Sequence, residues 1–175
     1  MSTSSSITLD SFDVNILAAL QEDASRSISE IAAEVNLSQN ACWRRIKMLE
    51  EAGVIRRRVA LIDANQVGCG ITVFVNLKVG EHSEDWLDAF ASKVARMPEV
   101  VEFYRMAGDV DYLLKLQVRD IAAYDEVYKS LIRGARLSDV SAAFAMEELK
   151  HTHAVPLPRP GDIAESPRPA RRPRG

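Results

Sequence analysis

At 175 residues, 47% of them apolar, the chain is long enough for one ordinary domain or two small ones with real cores. No apolar run approaches the roughly 20 residues that span a bilayer, and Met1 to Ser6 lacks the basic start and apolar stretch of a secretory signal. The formal net charge of −3 excludes indiscriminate polycation behaviour, yet the stretch from Ser38 to Arg58 holds six basic side chains against only Glu50 and Glu51, a local excess of +4, and phosphate attraction depends on the local cluster. Cys42 and Cys69 are far apart and form no CxxC pair. A reduced, cytoplasmic protein is expected rather than a disulfide scaffold or a zinc site, with no cofactor and no membrane contact.

Asp10-Ser-Phe-Asp13 is a capping-box-like start, followed by a helical stripe of Val14, Ile16, Leu17 and Leu20 to about Glu22. Ser27-Ile-Ser-Glu30 repeats the cap signature and opens a short helix with Ile28, Ile31, Ala32 and Val35 inward. Asn36-Leu37 makes a turn and Ser38 caps a third helix that ends at Gly53, with Ala41, Ile46, Leu49 and Val54 inward. Three short helices with a tight turn before the last make a helix-turn-helix. Val54 to Ile62 is rich in β-branched residues and is expected to be a strand, with Arg56 to Arg58 at its start.

Ala64 to Gly70 is a short glycine-containing linker, and there the period changes. Ile71, Val73, Val75, Leu77 and Val79 alternate with Thr72, Phe74, Asn76 and Lys78 as in a strand. Ser83 caps a helix with Leu87, Phe90, Ala91 and Val94 on one face, stopped by Pro98. Val100 to Met106 and Val110 to Val118 are strands around an Ala107-Gly108-Asp109 turn. Asp120 caps a helix with Tyr124, Val127, Tyr128 and Leu131 inward, and Val140 to Leu149 is the last strand. The order is that of a split βαβ, an α+β, ferredoxin-like antiparallel sheet with both helices on one face. Phe74 and Leu113 fall to the other face, which a sheet-to-sheet homodimer would cover. The expected division is a helix-turn-helix DNA-binding domain over 1–63, a linker over 64–70, a ferredoxin-like domain over 71–155 and a Pro/Arg-rich, disordered tail over 156–175.

The start of the third helix carries the chemistry. Arg pairs with guanine and Asn or Gln with adenine in bidentate fashion in the major groove of double-stranded DNA. Ser38, Gln39, Asn40, Trp43, Arg44, Arg45 and Lys47, with Arg57 beyond the helix, are the candidate DNA-binding residues. The bland readings are kept beside them: Ser38 as a cap, Trp43 as an apolar anchor between helices, and Arg45 paired to Glu50 or Glu51. Cys42 on this helix reads as a buried thiol rather than a redox switch. In Gly108-Asp109-Val110-Asp111-Tyr112 the two carboxylates either bond local backbone N–H groups or serve a ligand. His82, His151 and His153 show no metal-ligand spacing with the cysteines, and His151-x-His153 reads as surface.

Leu9-Asp10-x-x-Asp13-x-x-Ile16-Leu17, Ile31-Ala32, Leu37-Ser38, Arg45-Ile46, Leu49-Glu50 and Gly53-Val54-Ile55 resemble the N-terminal half of the Lrp/AsnC family. Gly108-Asp109-x-Asp111-Tyr112 and Lys150-x-Thr152-x-x-x-Pro156 resemble its sensor half. The resemblance implies a dimeric winged helix-turn-helix joined to a βαββαβ sensor, assembly to octamers, and an amino-acid effector bound between dimers. Met106, Ala107, Gly108, Asp109, Asp111 and Tyr112 would hold it against Ser138 and Ser141 of a neighbouring dimer. Ala41-Cys42-Trp43-Arg44-Arg45, Arg105-Met106-Ala107-Gly108 and Phe144-Ala145-Met146-Glu147 are similar to a cysteine-responsive branch. Two departures stand out: Asp23-Ala24-Ser25-Arg26 sets its arginine one position late, and Ala135-Arg136 replaces a common Pro-Gly. The rival readings are an architectural DNA-binding protein without ligand and a ferredoxin-like enzyme, though no nucleophile–base pair, phosphate loop or metal cluster is visible.

Overall fold

The computed structural model describes residues 8–80, 83–134 and 137–158. The expectations on Met1–Ser6, His82, Ala135-Arg136 and the tail from Arg159 onward lie outside the described residues. The described residues divide into two compact units, 8–60 with 151–158, and those within Leu61–Lys150.

The first unit is built from α1 (Ser11–Glu22), α2 (Ile28–Glu34) and α3 (Gln39–Glu51). Both capping boxes form. Asp13 N donates to Asp10 Oδ1 at 3.0 Å and Asp10 N to Asp13 Oδ2 at 3.1 Å. Glu30 N donates to Ser27 Oγ at 3.2 Å, and Ser27 N to Glu30 Oε2 at 2.7 Å. These bonds satisfy N–H groups that a helix start leaves open. The turn before α3 uses Asn36 at φ +56°, a left-handed conformation asparagine tolerates better than most residues. Gly53, at φ +72°, ends α3. The apolar stripes meet in one core of Ile16, Leu17, Ala19, Ile31, Ala32, Val35, Cys42, Ile46 and Leu49.

The strand expected over Val54 to Ile62 does not form. β propensity needs a neighbouring strand to satisfy it, and among the described residues none pairs with this segment. Val59, Leu61 and Ile62 are accordingly left exposed. His151 to Leu157 lies against the helical unit: Val155 N donates to Gln21 Oε1 at 2.7 Å, Gln21 Nε2 donates to Val155 O at 3.3 Å, and Leu157 packs on the helical core.

The second unit holds β1 (Ile71–Val79), α4 (Glu84–Val94), β2 (Val100–Arg105), β3 (Tyr112–Val118), α5 (Ile121–Ile132) and β4 (Leu137–Phe144). The strand order is β2-β3-β1-β4, with every pairing antiparallel. Alternation decides the faces. Val73, Val75, Leu77 and Val79 of β1 and Tyr112, Leu114, Leu116 and Val118 of β3 pack with Phe90, Val94, Val127 and Leu131 of the helices. β4 starts earlier and ends earlier than its pattern suggests. Its last registered pair is Phe144 with Val73 and one more bond joins Ala145 N to Thr72 O at 3.0 Å, where β1 runs out. Met146 and Leu149, read as part of the strand, are exposed.

Register also fixes the uncovered face. One row across it is Tyr104, Leu113, Asn76 and Ser141; the next is Glu102, Lys115, Phe74 and Ala143. Lys115 Nζ lies 3.3 Å from Glu102 Oε1, and Tyr104 Oη donates to Glu102 Oε2 at 2.9 Å.

Candidate DNA interface and effector site

α3 presents two unlike sides because 3.6 residues make a turn. Cys42, Ile46 and Leu49 point into the core and are fully buried or nearly so. Asn40, Arg44 and Lys47, spaced at three and four, lie opposite and are exposed. Gln39 and Trp43, also exposed, form one shoulder of that outward line. On the other shoulder an open groove of about 420 Å³ is lined by Ala41, Arg44, Arg45 and Met48. Ser38 caps the helix, its Oγ accepting from Ala41 N at 3.3 Å. An exposed helix start with an amide pair and two cations suits major-groove contact.

Two side chains depart from the sequence reading. Arg45 is not part of the outward set and does not pair with Glu50 or Glu51. It turns against α1, where its Nη1 lies 2.7 Å from Asp13 Oδ1 and its Nη2 2.9 Å from Asp10 Oδ2, with the guanidinium 5.3 Å from the Phe12 ring centroid. Asp13 is buried, and a buried carboxylate requires a cation or several donors. Burial works against the charge on Arg45, but the hydrogen bonds it donates to the two carboxylates outweigh that and hold the guanidinium more firmly protonated. Glu50 instead takes Arg58 at 3.1 Å and Lys47 at 3.8 Å. Trp43 is no anchor between helices: it is 49% exposed and belongs to no core cluster among the described residues.

Arg57 is exposed beyond α3, as are Arg56 and Arg58. Cys42 is fully buried, and burial pushes its thiol up, away from the reactive thiolate.

In the second unit, the turn between β2 and β3 is closed by Met106 N donating to Asp111 O at 2.8 Å. Gly108 has φ +129°, and a Cβ there would meet nothing within 4 Å, so glycine is required by conformation rather than by space. Met106, Ala107, Gly108 and Asp109 are exposed. The two aspartates part company. Asp111 Oδ2 accepts from Val79 N at 2.8 Å and its own N donates to Leu77 O at 3.0 Å, tying the turn to the end of β1. Tyr112 is buried, its ring 5.9 Å from Trp86 and 5.6 Å from Phe103. Ser138 and Ser141 are exposed on β4, and Ser141 stands opposite Asn76 on the uncovered face. The turn and the start of β4 share one end of the sheet, with β1 between them.

Among the described residues no helix is long and apolar enough to cross a membrane. Residues 9–56 match the family model for a winged helix-turn-helix DNA-binding domain, and residues 72–155 match that for the Lrp/AsnC ligand binding domain. The glutamate uptake regulatory protein of Zymomonas mobilis is 55% identical over 157 residues, which are 90% of this chain and 96% of that one. The crystal structure of an AsnC family transcriptional regulator from Agrobacterium tumefaciens superposes with a TM-score of 0.82 at 52% identity, covering 85% of this chain and 97% of that one. A transcriptional regulator from Neisseria meningitidis, solved as its L-Met complex, superposes with a TM-score of 0.80 at 32% identity, covering 85% and 97%. The members of this family are regulators and not enzymes. With a capped helix-turn-helix, a βαββαβ unit, and both family models matched in order, the chain belongs to the Lrp/AsnC family of transcriptional regulators.

Proposed function

We propose that this chain is a cytoplasmic, sequence-specific regulator that reads operator DNA with α3 and answers to a small amino acid bound by its sensor unit, controlling genes of amino-acid metabolism or transport. The observation that carries the reading is the outward line of α3: Asn40, Arg44 and Lys47 stand exposed together opposite a fully formed core, with Gln39 and Trp43 beside them. Gln39 and Asn40 offer the amides suited to adenine, Arg44 the fork suited to guanine, and Lys47 and Arg57 the charge suited to phosphate. Ser38 serves as the cap from which this line starts, and Arg45 positions the helix.

The effector site we assign is the turn Met106–Ala107–Gly108–Asp109. An amino-acid zwitterion needs an acceptor for its ammonium group and N–H donors for its carboxylate. The exposed Asp109 offers the first, and the left-handed Gly108 leaves the backbone approachable for the second. Asp111 and Tyr112 shape the turn from beneath. Ser138 and Ser141 of a neighbouring copy complete the site when sheet-paired homodimers assemble further, to an octamer. The relatives' names support an effector of this class: one protein is described as regulating glutamate uptake and another as complexed with L-Met. The resemblance to the cysteine-responsive branch makes cysteine the first candidate, with leucine or another aliphatic amino acid next. Calorimetry of the full chain against each amino acid tests the assignment. Heat with one small amino acid supports it, and no heat with any would favour a DNA-binding protein without effector.

A further inference from the structure

We infer that Trp43 is a specificity-determining residue that reads thymine by apolar contact with its C5-methyl group in the major groove. This rests on the proposed reading of DNA by α3.

An indole left half-exposed on a helix needs an explanation when the same helix buries Cys42, Ile46 and Leu49 almost completely. Trp43 has no aromatic partner and no place in either apolar core among the described residues. Its neighbours one turn away are Gln39, Asn40 and Lys47, with Arg44 beside it. Such a ring, set among amides and cations, is matched to a surface that is polyanionic with small apolar spots. The major-groove floor of duplex DNA is one: at each A·T pair the thymine methyl is the single apolar group on the base edges, between rows of phosphates. The groove, about 12 Å wide, admits a helix with its side chains. Asn40 and Arg44 on the outward line would meet base edges head-on, while Trp43 on the shoulder meets those of one strand from the side. The local excess of basic charge from Ser38 to Arg58 supplies the complementarity that seats the helix there.

The test uses the full chain and a duplex selected by it from a random-sequence pool. Each thymine is replaced singly by deoxyuridine, which removes only the methyl. Binding is measured for the wild type, Trp43→Ala, Trp43→Phe and Arg44→Ala, with a melting curve for each variant. Wild type should lose affinity about fourfold at one thymine per half-site, the worth of one buried methyl. Trp43→Ala should bind more weakly and show no step at that thymine, while Trp43→Phe keeps part of it. An unchanged uridine profile in Trp43→Ala overturns the inference, as does a wild type with no uridine step. A change of oligomeric state in Trp43→Ala with the uridine step intact also overturns it, and assigns the ring to a contact between copies. If wild type retains no preferred sequence, or Arg44→Ala binds as wild type does, the failure lies in the reading of DNA by α3 itself.

Discussion

Arg45 of α3 and Asp13 of α1 meet at 2.7 Å, and Asp13 is buried. Asp13 is at once the N3 residue of the α1 capping box and the partner of Arg45 on α3. One carboxylate thus sets both the start of α1 and the pose of α3, and Asp10 repeats the arrangement with a second bond to the same guanidinium.

Arg45→Ala should therefore act on stability before it acts on DNA. Removing it leaves a buried carboxylate without its cation, a loss of roughly 2–4 kcal/mol after allowance for the partly exposed guanidinium. Arg44→Ala, on the solvent side, should change stability by no more than about 0.5 kcal/mol. Denaturant melts of the two variants separate the roles, and equal destabilisation would contradict them.

The same cap predicts an acid limit. Burial pushes the Asp10 carboxyl up, but the Asp13 N–H and Arg45 outweigh it and hold Asp10 below its ordinary value of 3.8. The Ser27 hydroxyl and N–H likewise hold Glu30 below 4.5. A depressed carboxylate contributes stability that is complete above its unfolded value and is lost as pH falls through the folded one. Helical-unit stability should be flat from neutral pH down to about 5 and fall below about 4. Constant stability down to pH 2 would show that these bonds contribute nothing.

Ending the chain after Pro158 should leave fold and sequence preference intact and flatten the salt dependence of DNA binding, because arginines leave with the tail. Ending it at His153 should destabilise the helical unit by about 1–2 kcal/mol, since Leu157 and the Gln21–Val155 bonds go too. Thermal melts of both truncations check the contrast. The unit Leu61–Lys150, with its own core, should fold and self-associate alone, and a strict monomer by light scattering would count against sheet pairing.

At the effector turn, Asp109→Ala should abolish the amino-acid response and leave the melting temperature unchanged. Asp111→Ala should lower it, because Val79 N then loses its acceptor. Calorimetry beside a melting curve for each variant distinguishes ligand contact from turn support. Stability loss without selective loss of response in Asp109→Ala would reassign that carboxylate to the hairpin.

Capping and alternation made most of the elements legible. Asp10, Ser27, Ser38, Ser83 and Asp120 each cap the helix their position announces, and strict alternation marks β1 and β3 because one face is fully buried. What escaped was non-local. Val54 to Ile62 has strand composition but no strand beside it, and β4 stops where β1 does. Arg45 has acids within reach on its own helix, but its partners are 32 and 35 residues away. Trp43 stands in the sequence both as a DNA-binding candidate and as an apolar anchor, and its angle on α3 relative to Cys42 and Ile46 turns it outward.

In the proposed function, the outward line of α3 reads DNA. Fluorescence anisotropy of the full chain on its selected duplex, with Arg44→Ala and Lys47→Ala, tests this most directly. Arg44→Ala should cost about 1–3 kcal/mol and relax preference at one base pair, while Lys47→Ala should weaken all sequences alike and reduce the salt slope by about 1. Wild-type affinity, specificity and salt slope in both variants would contradict DNA reading by α3.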